Sequence, residues 1–301
     1  MKKIIQKNLP KLYLKLLIYN QTINWKKRNL KLTEIEFNNL KLIRKFSRQH
    51  VLLCGYPKSG NTWLRFFLAH YSILQQETVA STITYSELNE IQNLILERPF
   101  NRKKYSRKSN SLIDKIVWTH APFKSDYSKF ISKYLLIYRN PLDTLASSWN
   151  YHVKNRNNLK RIGYPKNDIN AYVKLRYVDW EKYMVSYSQL DEHQVLAVSY
   201  EELLKEPVGS FKKILSFSYP NHNCDLDKLK KAIELSSFNS VKTMGRIKDQ
   251  QHGMAAANKG EFARKGIIGS YKNELTEDTI DYIKNKVEKN SIITSLNIKY
   301  E

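Results

Sequence analysis

Residues 50–74 read HVLLCGYPKSGNTWLRFFLAHYSIL, and this stretch decides the fold. Its first seven residues, HVLLCGY, form a short apolar run ended by glycine and proline, which marks a buried strand. TWLRFFLAHYSIL (62–74) is long enough for a helix and rich in apolar residues. Between the two lies Gly55-Tyr-Pro-Lys-Ser-Gly-Asn-Thr62. A strand-to-helix turn of this kind presents backbone N–H groups beside a helix N-terminus, and together they form an anion site. Gly55 and Gly60 allow positive φ and let a phosphate approach the backbone. The plainer alternative is an ordinary turn with no ligand.

Working outward, KIVWTH (115–120), KYLLIYR (133–139) and QVLAVSY (194–200) are further strand-like runs. LDTLASSWNYHV (142–153) and EELLKEPVGSFKKILSF (201–217) read as helices. TEDTIDYIKNKVEKN (276–290) reads as an amphipathic helix capped by Thr276, with Glu277 and Asp278 in its first turn. Strands alternating with helices make an α/β protein with a parallel sheet. The expectation is one P-loop-like domain over residues 49–301, a central parallel sheet flanked by helices. Residues 78–114 and 155–192 are too long for simple connections and are expected to cap the sheet. Residues 1–48 read as a basic helical extension, with Leu9, Leu12, Leu16 and Leu17 at roughly helical spacing. Such a helix either packs on the main domain or touches an anionic membrane surface peripherally.

The chain has 301 residues, of which 42% are apolar and 26% charged, so a fibrous or disordered protein is excluded. Its longest stretches without a charged residue, such as Phe66 to Gln76, run to eleven residues, short of the ~20 a spanning helix needs. Cys54 and Cys224 are too far apart in sequence for a redox pair or a cysteine zinc site. Cys54 lies in an apolar run and is expected to be a buried small hydrophobe. The cysteine usage fits a reducing, cytoplasmic compartment. Charge is the unusual quantity: 51 bases against 28 acids give +23. Residues 1–50 hold 13 bases and two acids, and Arg98 to Lys108 hold six bases and no acid. An anionic partner follows from this excess, although a soluble basic surface accounts equally well for each cluster.

The loop nearly fits the triphosphate pattern G-x-x-x-x-G-K-[ST], but Asn61 stands where that pattern has its lysine. Lys58 comes three positions earlier. PKSGNTW (57–63) instead resembles the PKSGTTW loop of the cytosolic-type sulfotransferases that use 3′-phosphoadenosine 5′-phosphosulfate (PAPS). The resemblance implies that Lys58, Ser59, Gly60, Asn61 and Thr62 hold the 5′-phosphate side of the donor, with Trp63 stacked near its adenine. YRNPLDTLASSWNYH (138–152) is similar to the family segment that gives an arginine and a serine to the 3′-phosphate, here Arg139 and Ser147. An arginine fork suits that task because it binds phosphate oxygens in bidentate fashion. FARKGIIGSYKN (262–273) resembles the family's R-K-G segment, which implies Arg264, Lys265 and Gly266 at the same phosphate. Resemblance likewise implies adenine contacts from Tyr200 and Phe238. It runs from about residue 50 to 280.

Sulfuryl transfer to an alcohol needs a general base for the acceptor proton and fixed cations for the leaving phosphate. His120, in Thr119-His120-Ala-Pro after an apolar strand, resembles the family's catalytic histidine, and an imidazole has a suitable proton affinity. A lone histidine at a strand end is otherwise a structural residue. The family often carries lysine two positions before this histidine, where this chain has Trp118. Lys58 is therefore expected to act also at the transferred group. No metal is expected, and His222 with Cys224 reads as an exposed loop pair. The expected acceptor bears a hydroxyl on a sugar, a lipid or a phenolic compound, and no specific nucleic acid is expected. A small-molecule kinase and a non-enzymatic basic module binding nucleic acid are the competing readings. Binding of ATP with magnesium would mark the first and salt-sensitive strand affinity the second.

Overall fold

A computed structural model describes residues 50–76, 83, 87–88, 112–151, 168–240, 266–298 and 300. The basic extension at 1–48, most of 78–114, residues 155–167 and both Arg264 and Lys265 lie outside the described residues.

Among the described residues four strands form one sheet: β1 (Val51–Cys54), β2 (Ile116–Thr119), β3 (Lys133–Tyr138) and β4 (Val195–Ser199). Their order is β2-β1-β3-β4, and every pairing is parallel. A parallel sheet must be covered on both faces, and this explains why β1 is apolar at every position rather than alternating. Successive side chains point to opposite faces. Leu52 and Cys54 enter one core with Tyr134, Leu136 and Trp180, and Val51 and Leu53 enter the other with Leu64, Phe67 and Phe211. Cys54 is fully buried, as its apolar setting implied.

The helices fill those two faces. On one lie α1 (Asn61–Gln76), α5 (Pro207–Ser218) and α6 (Leu226–Leu235). On the other lie α2 (Pro141–Trp149), α3 (Ile169–Tyr187), α7 (Glu277–Glu288) and the short α8 (Ser291–Thr294). A further short helix, α4 (Tyr200–Lys205), follows β4 directly.

Three expectations are corrected. The single helix read over 201–217 is two, α4 and α5, broken at Glu206. Pro207 lacks the N–H a continuous helix would use and restricts the residue before it. Glu206 accordingly leaves the helical region, and Pro207 becomes the first residue of α5, where its missing donor costs nothing. Thr276 does precede α7, but its side chain caps no helix N–H. Its hydroxyl instead donates to Asn170 Oδ1 at 3.2 Å, tying the start of α7 to the start of α3. His222 is half-buried rather than exposed, with Nε2 2.8 Å from the Tyr71 hydroxyl.

Candidate active site

β1 delivers the chain to loop 55–60 at the C-terminal edge of the sheet. Gly55 has no room for a side chain, since a Cβ there would lie 2.4 Å from Asn61 Oδ1 and 2.7 Å from Ile137 O. Lys58 has φ 74° and Gly60 φ 102°. A lysine in the left-handed region costs on the order of 1–3 kcal/mol and persists only where its surroundings enforce it. Here the Ser59 amide donates back to Tyr56 O at 3.2 Å. Asn61 Nδ2 donates to the carbonyls of Gly55 and Tyr56 at 3.3 and 3.1 Å, closing the loop on itself. Ser59 is fully buried and its hydroxyl has no hydrogen-bond partner. The Lys58 ammonium sits 4.4 Å from the centroid of the Tyr151 ring.

His120 follows β2, the neighbour of β1, and so reaches the same edge. Its Nδ1 lies 2.7 Å from Gly55 O. A carbonyl only accepts, so Nδ1 carries the proton and Nε2 is the basic atom of the neutral ring. Trp118 packs against this ring edge to face, with centroids 5.2 Å apart and planes at 77°. On the indole rests the guanidinium of Arg65, 4.3 Å from the ring, in a side chain that is 1% exposed. A buried cation thus lies behind Trp118, where the resemblance predicted a gap in charge.

Arg139 leaves the end of β3. It is buried, donates to Ile267 O at 3.0 Å, and lies 3.5 Å from Asp143. Its guanidinium also lies over the Tyr200 ring at 4.5 Å, while its Nε has no partner. Asp143, one turn on, accepts from Gly269 N, Ser270 Oγ and Tyr271 N at 2.8, 2.9 and 3.1 Å. This one carboxylate pins segment 269–271 beside Arg139. Asn140 caps α2 by accepting from Leu142 N at 2.8 Å, and Glu201 accepts the Asn140 amide at 3.0 Å. Burial pushes the Glu201 carboxyl up and the Asn140 amide opposes it. Burial also raises the Tyr200 phenol, with Arg139 opposing, so it stays protonated and donates to Gly266 O at 3.2 Å.

Gly266 has φ 66°, and a Cβ on it would lie 2.4 Å from Phe238. The predicted residues Arg139, Tyr200, Phe238 and Gly266 therefore meet at one place. Trp63 joins them edge-on to Tyr200, with centroids 5.5 Å apart. Thr62 is half-buried in the first turn of α1, and Ser147 is half-buried on α2, four residues after Asp143 and on its face. Sequence reasoning missed Arg65, Asp143 and Glu201 as supports. Asp143 alone carried a signal, since it lies four residues after Arg139. Among the described residues no group of three or more His, Cys, Asp or Glu could hold a metal.

A family model, the sulfotransferase domain, matches residues 48–292. The flavonol sulfotransferase-like protein of Flaveria bidentis is 25% identical over 261 residues, covering 79% of this chain and 79% of that protein. Human sulfotransferase 1C2 is 23% identical over 277 residues, covering 83% of this chain and 88% of that one. Mouse sulfotransferase SULT7A1, solved in complex with PAP, superposes with TM-score 0.59 at 22% identity, covering 83% of this chain and 89% of that one. That last likeness shows the fold.

Proposed function

The chain belongs to the sulfotransferase-domain family, and from that premise we propose that it transfers a sulfuryl group from PAPS to an alcohol, with His120 as general base. The observation that carries this reading is the short bond from His120 Nδ1 to Gly55 O, which aims a basic Nε2 from the anion loop itself. The loop and the Arg139 cluster also suit the donor. The Ser59 hydroxyl and Arg139 Nε–H are buried donors without partners, and both match phosphate oxygens. PAPS supplies the sulfuryl group and leaves as adenosine 3′,5′-bisphosphate (PAP).

Lys58, Ser59, Gly60, Asn61 and Thr62 take the 5′-phosphate side. Arg139 and Ser147 take the 3′-phosphate, together with Arg264, Lys265 and Gly266. Trp63, Tyr200 and Phe238 border the adenine. His120 accepts the acceptor's hydroxyl proton at Nε2 as its oxygen attacks. Lys58 neutralises charge on the bridging oxygen, with Arg65 behind Trp118 adding a fixed positive field. The acceptor is a hydroxyl-bearing small molecule. Family membership favours this reading over the kinase and the nucleic-acid module.

The test is an acceptor screen with purified protein and sulfur-labelled PAPS across sugars, lipids and phenols. Label should pass to a hydroxyl compound without ATP. ATP-dependent phosphorylation and no use of PAPS would overturn the proposal.

A further inference from the structure

A second cavity, of about 380 Å³, lies at the opposite end of the sheet. It is lined by His50 and Val51 at the start of β1, Lys115 just before β2, and Lys133 at the start of β3. Ser218 at the end of α5, with Ser132, Asn221 and His222, adds to its polar lining. All four strands run parallel, so this cavity sits at their N-terminal ends, whereas loop 55–60 and His120 follow the C-terminal ends of β1 and β2. The donor site does not extend to it.

The lining is one-sided in charge. Two lysines carry its charge, two histidines stand beside them, and no aspartate or glutamate is among the described residues that line it. Its walls are fixed by bonds between distant segments. The Tyr219 hydroxyl donates to Leu112 O at 2.8 Å, which ties the end of α5 to the turn before β2. Lys133 Nζ donates to Phe217 O at 2.6 Å, and an ammonium has two further donors to offer. The Tyr71 hydroxyl and His222 Nε2 share a hydrogen bond at 2.8 Å, which fixes the imidazole at the rim. Ser218 is buried, and its hydroxyl has no hydrogen-bond partner. Leu112, Tyr219 and Pro220 supply an apolar border. Ligand sites have this make-up: a preformed concavity, mostly fixed walls and a few convergent polar groups, commonly ~300–1,000 Å³.

We propose that this cavity is a second ligand site, separate from the donor site, for a small phosphate or sulfate ester with a flat apolar body. The ester's anionic head meets Lys115 and Lys133, and its ring lies against Tyr219 and Pro220. The volume is at the small end of the range, which fits one ring and one anionic group and excludes a whole nucleotide diphosphate.

Phenyl phosphate is the probe, titrated by calorimetry into the full chain, with inorganic phosphate as the second arm. Saturable binding of phenyl phosphate is expected, weakened at least tenfold in Lys115→Glu and unchanged in Lys58→Ala. Lys115 is exposed, so its replacement leaves the core intact, and His222→Ala should weaken binding as a second check. Inorganic phosphate should bind more weakly than the ester. The proposal is overturned by no binding to the wild type at millimolar ligand, or by unchanged affinity in both cavity variants. Loss in Lys58→Ala would move the ligand to the donor loop, and equal affinity for the two probes would remove the apolar body from the assignment.

Discussion

The two ends of the sheet are built from the same strands but differ in how they hold polar groups. At the C-terminal end, positive φ, a closed loop and a buried carboxylate fix each side chain in place: Asn61 ties the loop, Gly55 O orients His120, and Asp143 anchors 269–271. At the N-terminal end, long side chains are held mainly by their tips, as with Lys133 on Phe217 O and Tyr219 on Leu112 O. Chemistry needs the first kind of order, since a reacting group misplaced by about 1 Å can cost ~10²-fold. Capture of an anion tolerates the second, because an ammonium acts as a point charge with rotatable donors.

The variants below probe the order of the C-terminal end, and the last probes the helix behind it. His120→Ala should show the largest effect, with turnover lowered ~10²–10⁴-fold and PAP affinity nearly intact, the usual worth of a general base. Steady-state rates with an acceptor from the screen, beside calorimetry, decide it, and retained turnover would move the base elsewhere. Gly55→Ala comes next. Its Cβ would strike Asn61 Oδ1 and the Ile137 carbonyl, displacing residue 55 and with it the residue 55 carbonyl that orients His120. Turnover should fall by up to ~10²-fold through misplacement, with the fold retained by circular dichroism.

Arg139→Ala and Lys58→Ala should each weaken PAP by ~1.5–3 kcal/mol, the worth of hydrogen bonds to charged groups. Unchanged affinity in both would remove these residues from the donor site.

The smallest effect concerns a histidine whose two nitrogens are both engaged. His70 Nδ1 donates to Phe66 O at 2.8 Å, and its Nε2 accepts from Ile83 N at 3.2 Å. Burial lowers its pKa to about 4. Below pH ~6.5 the unfolded chain takes up a proton that folded His70 refuses until about 4. The unfolded state thus binds more protons in this window, and stability falls as pH falls. Between pH 7 and 5.5 the loss from this group is about 1 kcal/mol. Urea melts should show a shallower pH dependence for His70→Gln, and equal slopes would contradict this account.

The fold was legible because β1 is short and wholly apolar and is followed at once by glycine, proline and a helix, a pattern set by local chemistry. Every strand among the described residues was read to within a residue or two. The break at Pro207 was also written in the sequence, and a proline rule applied more strictly would have found it. The 19-residue helix α3 was not legible, since its buried Tyr172, Trp180 and Tyr183 are spread among polar residues without a clean stripe. In the candidate site, Trp63, Arg139, Tyr200, Phe238 and Gly266, which the resemblance named, lie against one another, and His120 meets the loop at Gly55. The groups that hold them were hidden, because Asp143 binding 269–271 and Arg65 resting on Trp118 are contacts across long separations that no spacing rule reports.

The central claim is that the C-terminal end of the sheet holds a 3′,5′-bisphosphate nucleotide. The most direct measurement is calorimetric titration of the purified chain with PAP and, separately, with ATP and magnesium. The account predicts saturable, one-to-one binding of PAP without added metal, with much weaker binding of ATP. Tight magnesium-dependent binding of ATP and none of PAP would contradict it.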